Sequence, residues 1–110
     1  MQQQTPHFRR SSSRIGTTGA VSVCWGSDGY DDTSRVRDLG SGGLFVLTQE
    51  SKAVGAKTNL HFLVEEGPIR AQAVVRHVRP GCGLGLKFTA VREEDRRHLA
   101  DLMKRLRGFR

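Results

Sequence analysis

No stretch of the chain approaches the roughly 18 consecutive apolar residues that span a bilayer. The start, from Met1 to Phe8, is polar, and no apolar segment follows Arg9 and Arg10 as a secretory signal requires. A cytoplasmic chain without membrane insertion is expected. Cysteine is scarce: Cys24 and Cys82 stand far apart with no CxxC partner, which excludes a zinc ribbon and a thioredoxin-type site. Aromatics are few, with five Phe, one Tyr and one Trp. Barrels that bind single-stranded nucleic acid stack bases on exposed rings, so a nucleic-acid partner is poorly served here.

Catalytic signatures are missing as well. His7, His61, His77 and His98 form no HExxH or other metal spacing. No GxSxG elbow or P-loop occurs, and Gly81-Cys82-Gly83-Leu84-Gly85 does not complete GxGxxG. Asp31-Asp32 and Glu65-Glu66 fall in turn-forming stretches, where solvation explains them. A binding module is expected rather than an enzyme, with no metal and no cofactor.

Charge is present, and it is uneven. The formal net charge is +7. Residues 1–14 hold Arg9, Arg10 and Arg14 with no acid. Residues 15–86 balance seven basic against seven acidic side chains, and residues 87–110 hold eight basic against four acidic. A basic arm on a neutral body points to an anionic partner, with phosphate foremost.

The apolar pattern has period two for most of the length. Val21, Val23 and Trp25 alternate with Ala20, Ser22 and Cys24. Further strands are expected over Thr33 to Leu39, Leu44 to Leu47, Leu60 to Val64, Ile69 to Val78 and Leu84 to Phe88. Gly- and Pro-bearing turns separate them, such as Glu65-Glu66-Gly67-Pro68 and Pro80-Gly81. In the fifth strand Ile69, Ala71, Ala73, Val75 and His77 share one side, and Arg70, Gln72, Val74, Arg76 and Val78 the other. Phe45, Phe62 and Phe88 are expected in the core. The period then changes: Leu99, Leu102, Met103 and Leu106 mark one face of a helix, which Thr89 can start and Gly108 can stop. The fold class is all-β with one helix: a six-stranded antiparallel β-barrel capped by a C-terminal α-helix. Residues 1–18 read as a flexible basic arm and residues 19–110 as the barrel with its helix.

Two features make a physical proposal together. Arg10 and Arg14, with Arg9 beside them, lie on the arm, and Asp38-Leu39-Gly40-Ser41-Gly42-Gly43 follows a strand. Arginine binds phosphate and reads the O6/N7 edge of guanine bidentately. Aspartate accepts from guanine N1–H and its N2 amino group. Glycines admit close approach of the backbone to a planar or phosphorylated ligand. A guanine nucleotide meets all three demands.

Arg10-Ser11-Ser12-Ser13-Arg14 resembles the RxxxR arm of the PilZ domain family, and Asp38 to Gly43 resembles its second motif, (D/N)xSxxG. Gly42 to Val46, Ala73 to Arg76, Gly83 to Phe88 and the closing helix fall where that family has them, so the likeness runs over residues 9–106. It implies a six-stranded barrel with a C-terminal helix. It also implies cyclic di-GMP, a bacterial second messenger, as the ligand, often as a stacked dimer, and a downstream protein that the sequence does not identify. Arg10 and Arg14 take the RxxxR positions, where they would grip guanine and phosphate. Asp38 takes the D/N position and Gly43 the final glycine. The motif serine is Gly40 here, with Ser41 one step late. A missing neutral hydrogen bond costs about 0.5–1.5 kcal/mol, a loss of affinity rather than of ligand identity. Arg76 would offer a guanidinium plane for stacking. The alternative that keeps the fold is a ligand-independent interaction module of pilus or motility systems. Gly40 favours it; Arg10, Arg14 and Asp38 oppose it. A nucleic-acid-binding barrel stands third.

Overall fold

A computed structural model of the chain describes residues 14–17 and 19–108. Seven strands precede one helix: β1 Ile15–Gly16, β2 Ser22–Gly26, β3 Asp32–Leu39, β4 Gly43–Leu47, β5 Lys57–Leu63, β6 Ile69–Arg79, β7 Gly83–Val91 and α1 Arg96–Gly108. Six of them run in a circle, β3-β2-β5-β6-β7-β4, and β4 pairs back onto β3. Every neighbouring pair is antiparallel. Closure leaves the sheet without a free edge. This is the expected barrel.

β1 is an addition. It sets Ile15 opposite Leu39 and Gly16 opposite Asp38. Because β4 occupies the other edge of β3, β1 lies on the edge that β2 uses further along. The stretch between them turns at Gly19, whose φ is 77°. The Thr17 N–H donates to Arg37 O at 3.0 Å, and Thr17 Oγ1 donates to Val36 O. The last residues of the expected arm therefore pair with the barrel wall.

Alternation along the strands fills the interior. Val21, Val23 and Trp25 are buried together with Val36, Leu44, Val46, Leu60, Phe62, Ile69, Val75, Leu84 and Leu86. Leu99, Leu102, Met103 and Leu106 of α1 join the same cluster. The helix thus plugs the barrel with the face expected from its spacing.

Three expectations need correction. The helix does not start at Thr89. β7 continues to Val91, a short 3₁₀ turn covers Glu93–Asp95, and α1 begins at Arg96. The β-propensity of the Phe88-Thr89-Ala90-Val91 run and its pairing with β6 prevail over the capping tendency of threonine. Second, the faces of β6 do not alternate to its end. The register with β7 shifts between Val75 and His77, so Arg76 is an extra residue and His77 is turned outward to the exposed side. Third, Phe45 is buried but lies outside the barrel core. Leu44 and Val46 point inward, so Phe45 between them points out, beneath the Arg37 guanidinium 4.0 Å from its ring centroid. Phe62 is in the core and Phe88 packs against it, with ring centroids 6.4 Å apart.

Ion pairs hold the helix on the barrel. The Asp95 side chain is 1% exposed and accepts from the Arg70 backbone N–H at 2.9 Å, from Arg70 Nε at 2.8 Å and from an Arg70 terminal nitrogen at 3.0 Å. Those charge-assisted bonds hold its carboxyl at a pKa of about 2 against the burial that opposes them. Arg105 grips Glu66 with Nε and a terminal nitrogen, which lowers the Glu66 carboxyl in turn. The His98 ring meets Pro68 O at 2.7 Å.

β4 and β7 approach closely. A Cβ at Gly83 would stand 2.1 Å from Val46 O, and one at Gly43 would stand 2.2 Å from Leu86 O. Both obstacles are strand backbone. Gly83→Ala is expected to lower unfolding stability by about 2–3 kcal/mol, as overpacking does, seen as a lower urea midpoint. The Asp95 bond has its own pH signature. Its folded pKa lies below the ordinary 3.8, so its stabilisation is full above that value and fades as pH falls toward about 2. The difference in melting temperature between the natural protein and Asp95→Asn should therefore be constant from pH 7 to 5 and shrink between about pH 4 and 2.

Candidate ligand-binding site

A surface depression of about 470 Å³ gathers residues from four places in the chain. Arg14 comes from the residue before β1, Gly42 and Gly43 from the start of β4, Arg76 and His77 from the β6 bulge, and Lys87 from β7. The strand registers explain the meeting: Gly43 is opposite Lys87 on β7, and Lys87 is opposite Val74 on β6. Three cationic side chains and no carboxylate line the depression. A second depression, of about 520 Å³, lies over β5 and β6 with Lys57 as its one charged lining residue. Size does not separate the two; convergent positive charge does.

The floor of the site is backbone. The Gly40 N–H donates to Gly43 O at 2.8 Å, closing the β3–β4 turn, and the Phe88 N–H donates to Gly42 O at 2.9 Å, tying that turn to β7. Gly43 is glycine because β7 leaves its Cβ no space; it is buried, and it lines the depression beside the half-exposed Gly42. Gly40 is buried and lacks the left-handed φ that a serine would find strained.

Asp38 adjoins through Arg14. Its Oδ1 accepts from Arg14 at 3.2 Å and its Oδ2 from Arg37 Nε at 2.9 Å, and the side chain is 17% exposed. Arg37 is itself the bulged residue of β3. On the far side the rings of Phe45 and His77 lie 6.1 Å apart. The His77 ring sits on Gly85, where a Cβ would be 2.4 Å from Cε1. Strands β5, β6 and β7 contain no Asp or Glu, so the field over this wall is set by Lys57, Arg70, Arg76, Arg79 and Lys87, of which Arg70 is neutralised by Asp95.

Of the residues singled out in the sequence, Arg14, Gly43 and Arg76 come together in the depression. Asp38 stands beside it through Arg14, and Gly40 supports its floor from within. Ser41 lies elsewhere: it lines a different depression, with Phe88, Arg96 and Leu99. Arg9 and Arg10 lie outside the described residues. His77, Lys87 and Arg37 were not anticipated. Lys87 had a signal, since Leu84, Leu86 and Phe88 alternate and leave it outward. His77 and Arg37 had none, because a bulge decides the direction of each.

The family model of the PilZ domain matches residues 8–105. Two solved structures of MrkH from K. pneumonia share the fold. The complex with c-di-GMP superposes with a TM-score of 0.68 at 18% identity, and the apo state with 0.63 at 19%. In both cases 96% of this chain is covered, and the chain spans 52% of MrkH. No curated protein matches this chain.

Gly85→Ala tests the packing of His77. The obstacle to the new methyl is an exposed ring, not a strand backbone. The variant should lose no more than about 1 kcal/mol, far less than Gly83→Ala, while the His77 ring resonances move. Equal destabilisation by the two substitutions would contradict this packing.

Proposed function

The chain belongs to the PilZ domain family, and we propose that it is a receptor for cyclic di-GMP, with the depression between Arg14, Gly42–Gly43, Arg76 and Lys87 as its site. The observation that carries this reading is the depression itself: three cations and an acid-free lining converge on bare glycine backbone. A ligand with two phosphates and two flat bases matches those features. Phosphates go to Arg14 and Lys87, and charge-assisted bonds of that kind are the strong ones. Arg76 supplies a guanidinium plane and His77 a ring beside it, against which a base can stack. Asp38 reads the N1–H and N2 edge of guanine. Arg9 and Arg10 complete the arm in this reading, and Arg10 shares the grip on guanine and phosphate. Gathering the arm onto the barrel changes the surface shown to a downstream protein.

Gly40 favours a second reading, an interaction module that works without nucleotide, because it withholds the motif's serine hydroxyl. One calorimetric series separates the readings. Cyclic di-GMP should bind the protein, and a single-stranded oligonucleotide should bind it weakly or not at all. Arg10→Ala and Arg14→Ala should each weaken cyclic di-GMP binding by more than about tenfold, and Lys87→Ala by several-fold. Affinity should fall with added salt, since the contacts are partly exposed. Gly40→Ser should tighten binding a few-fold. No cyclic di-GMP binding by the natural protein would leave the interaction module as the better account.

A further inference from the structure

Arg37 is not part of either motif, yet it holds the carboxylate that the proposed function relies on. It enters its position through a bulge: Val36 is opposite Val46 and Asp38 opposite Phe45, which leaves Arg37 as the extra residue between them. The bulge lets neighbouring residues on one strand converge, where strict alternation would send them to opposite faces. The Arg37 guanidinium lies 4.0 Å from the centroid of the buried Phe45 ring. That contact holds the guanidinium over the ring. Its Nε donates to Asp38 Oδ2 at 2.9 Å. The other oxygen, Oδ1, is bonded to Arg14, which lines the depression.

The two arginines therefore differ in role. Arg14 sits on the residue next to the two-residue strand β1, on the side of the ligand. Arg37 sits on the barrel wall, stacked on a ring that is 1% exposed. When a phosphate takes Arg14, Oδ1 is released and Arg37 remains on Oδ2. Each carboxylate oxygen has two lone pairs, so Oδ2 keeps one for a second donor. Asp38 then presents a carboxylate of set orientation, with one oxygen vacated toward the depression. We propose that Arg37, braced on Phe45, is the positioning residue that sets the guanine selectivity of this site. The proposal rests on the cyclic di-GMP reading above.

Selectivity is the readout, because a mere loss of positive charge would weaken every anionic ligand alike. The probes are cyclic di-GMP and its inosine analogue, which keeps N1–H and both phosphates but lacks the N2 amino group. The natural protein should prefer cyclic di-GMP by about tenfold or more, the worth of a hydrogen bond to a charged acceptor. Arg37→Ala should reduce that preference below about threefold while the melting temperature stays near that of the natural protein, since Arg37 is 44% exposed at its side chain. Phe45→Leu, checked for folding in the same way, should lower the preference in the same direction by removing the brace. Equal weakening of both nucleotides by Arg37→Ala, with the preference intact, would overturn the proposal and leave cyclic di-GMP binding standing. A natural protein that binds both nucleotides equally would overturn it too. Absence of cyclic di-GMP binding by the natural protein would overturn this proposal and the ligand reading together.

Discussion

The approach of β4 to β7 is so close that a Cβ at either of two glycines would collide with strand backbone, and the side of the barrel that carries the cationic depression is built on that contact. Gly43 faces Leu86 O and Gly83 faces Val46 O at distances no Cβ tolerates. This contact closes the circle of strands, since β4 is the element that returns to β3. It also brings Gly42 and Gly43 beside Lys87, and so makes the backbone floor of the depression. The final glycine of the motif is thus required by barrel closure itself.

Charge is divided along β6. At its start, Arg70 is tied to the buried Asp95, and Glu66 and Arg105 lock the helix nearby. At its end, Arg76 and Arg79 stand exposed on strands that carry no acid. Asp95 and Glu66 are absorbed in structural pairs, where breaking one partner leaves a poorly solvated charge. The cations at the other end have no such structural partners among the strands β5 to β7. The fold therefore holds its helix with charges other than those lining the depression.

Much of this was legible from the chain alone, and most of the failures share one cause. Period-two alternation placed Val21, Val23, Trp25, Leu60, Phe62, Leu84 and Leu86 correctly, and period 3.6 placed Leu99, Leu102, Met103 and Leu106. Arg14, Gly43 and Arg76 were singled out, and the fold brings them to one depression. What escaped was whatever depends on a break in the period. Phe45 is the exception, placed in the core although alternation with the inward Leu44 and Val46 turns it out; elsewhere the extra residues Arg37 and Arg76 break the alternation, and His77 was assigned to the wrong surface. No residue type marks those positions, since a bulge arises from the pairing of two strands and neither strand encodes it alone. The helix start was misplaced for a related reason: pairing with β6 extended β7 past Thr89.

β1 consists of two paired residues, and Arg14 is bonded directly to the first of them. The arginine is thereby tethered within reach of Asp38, at a local concentration that no free arginine could match. The same two residues are the shortest pairing in the wall. A pull along the chain would unzip them first and withdraw Arg14 while the six-stranded circle stayed shut.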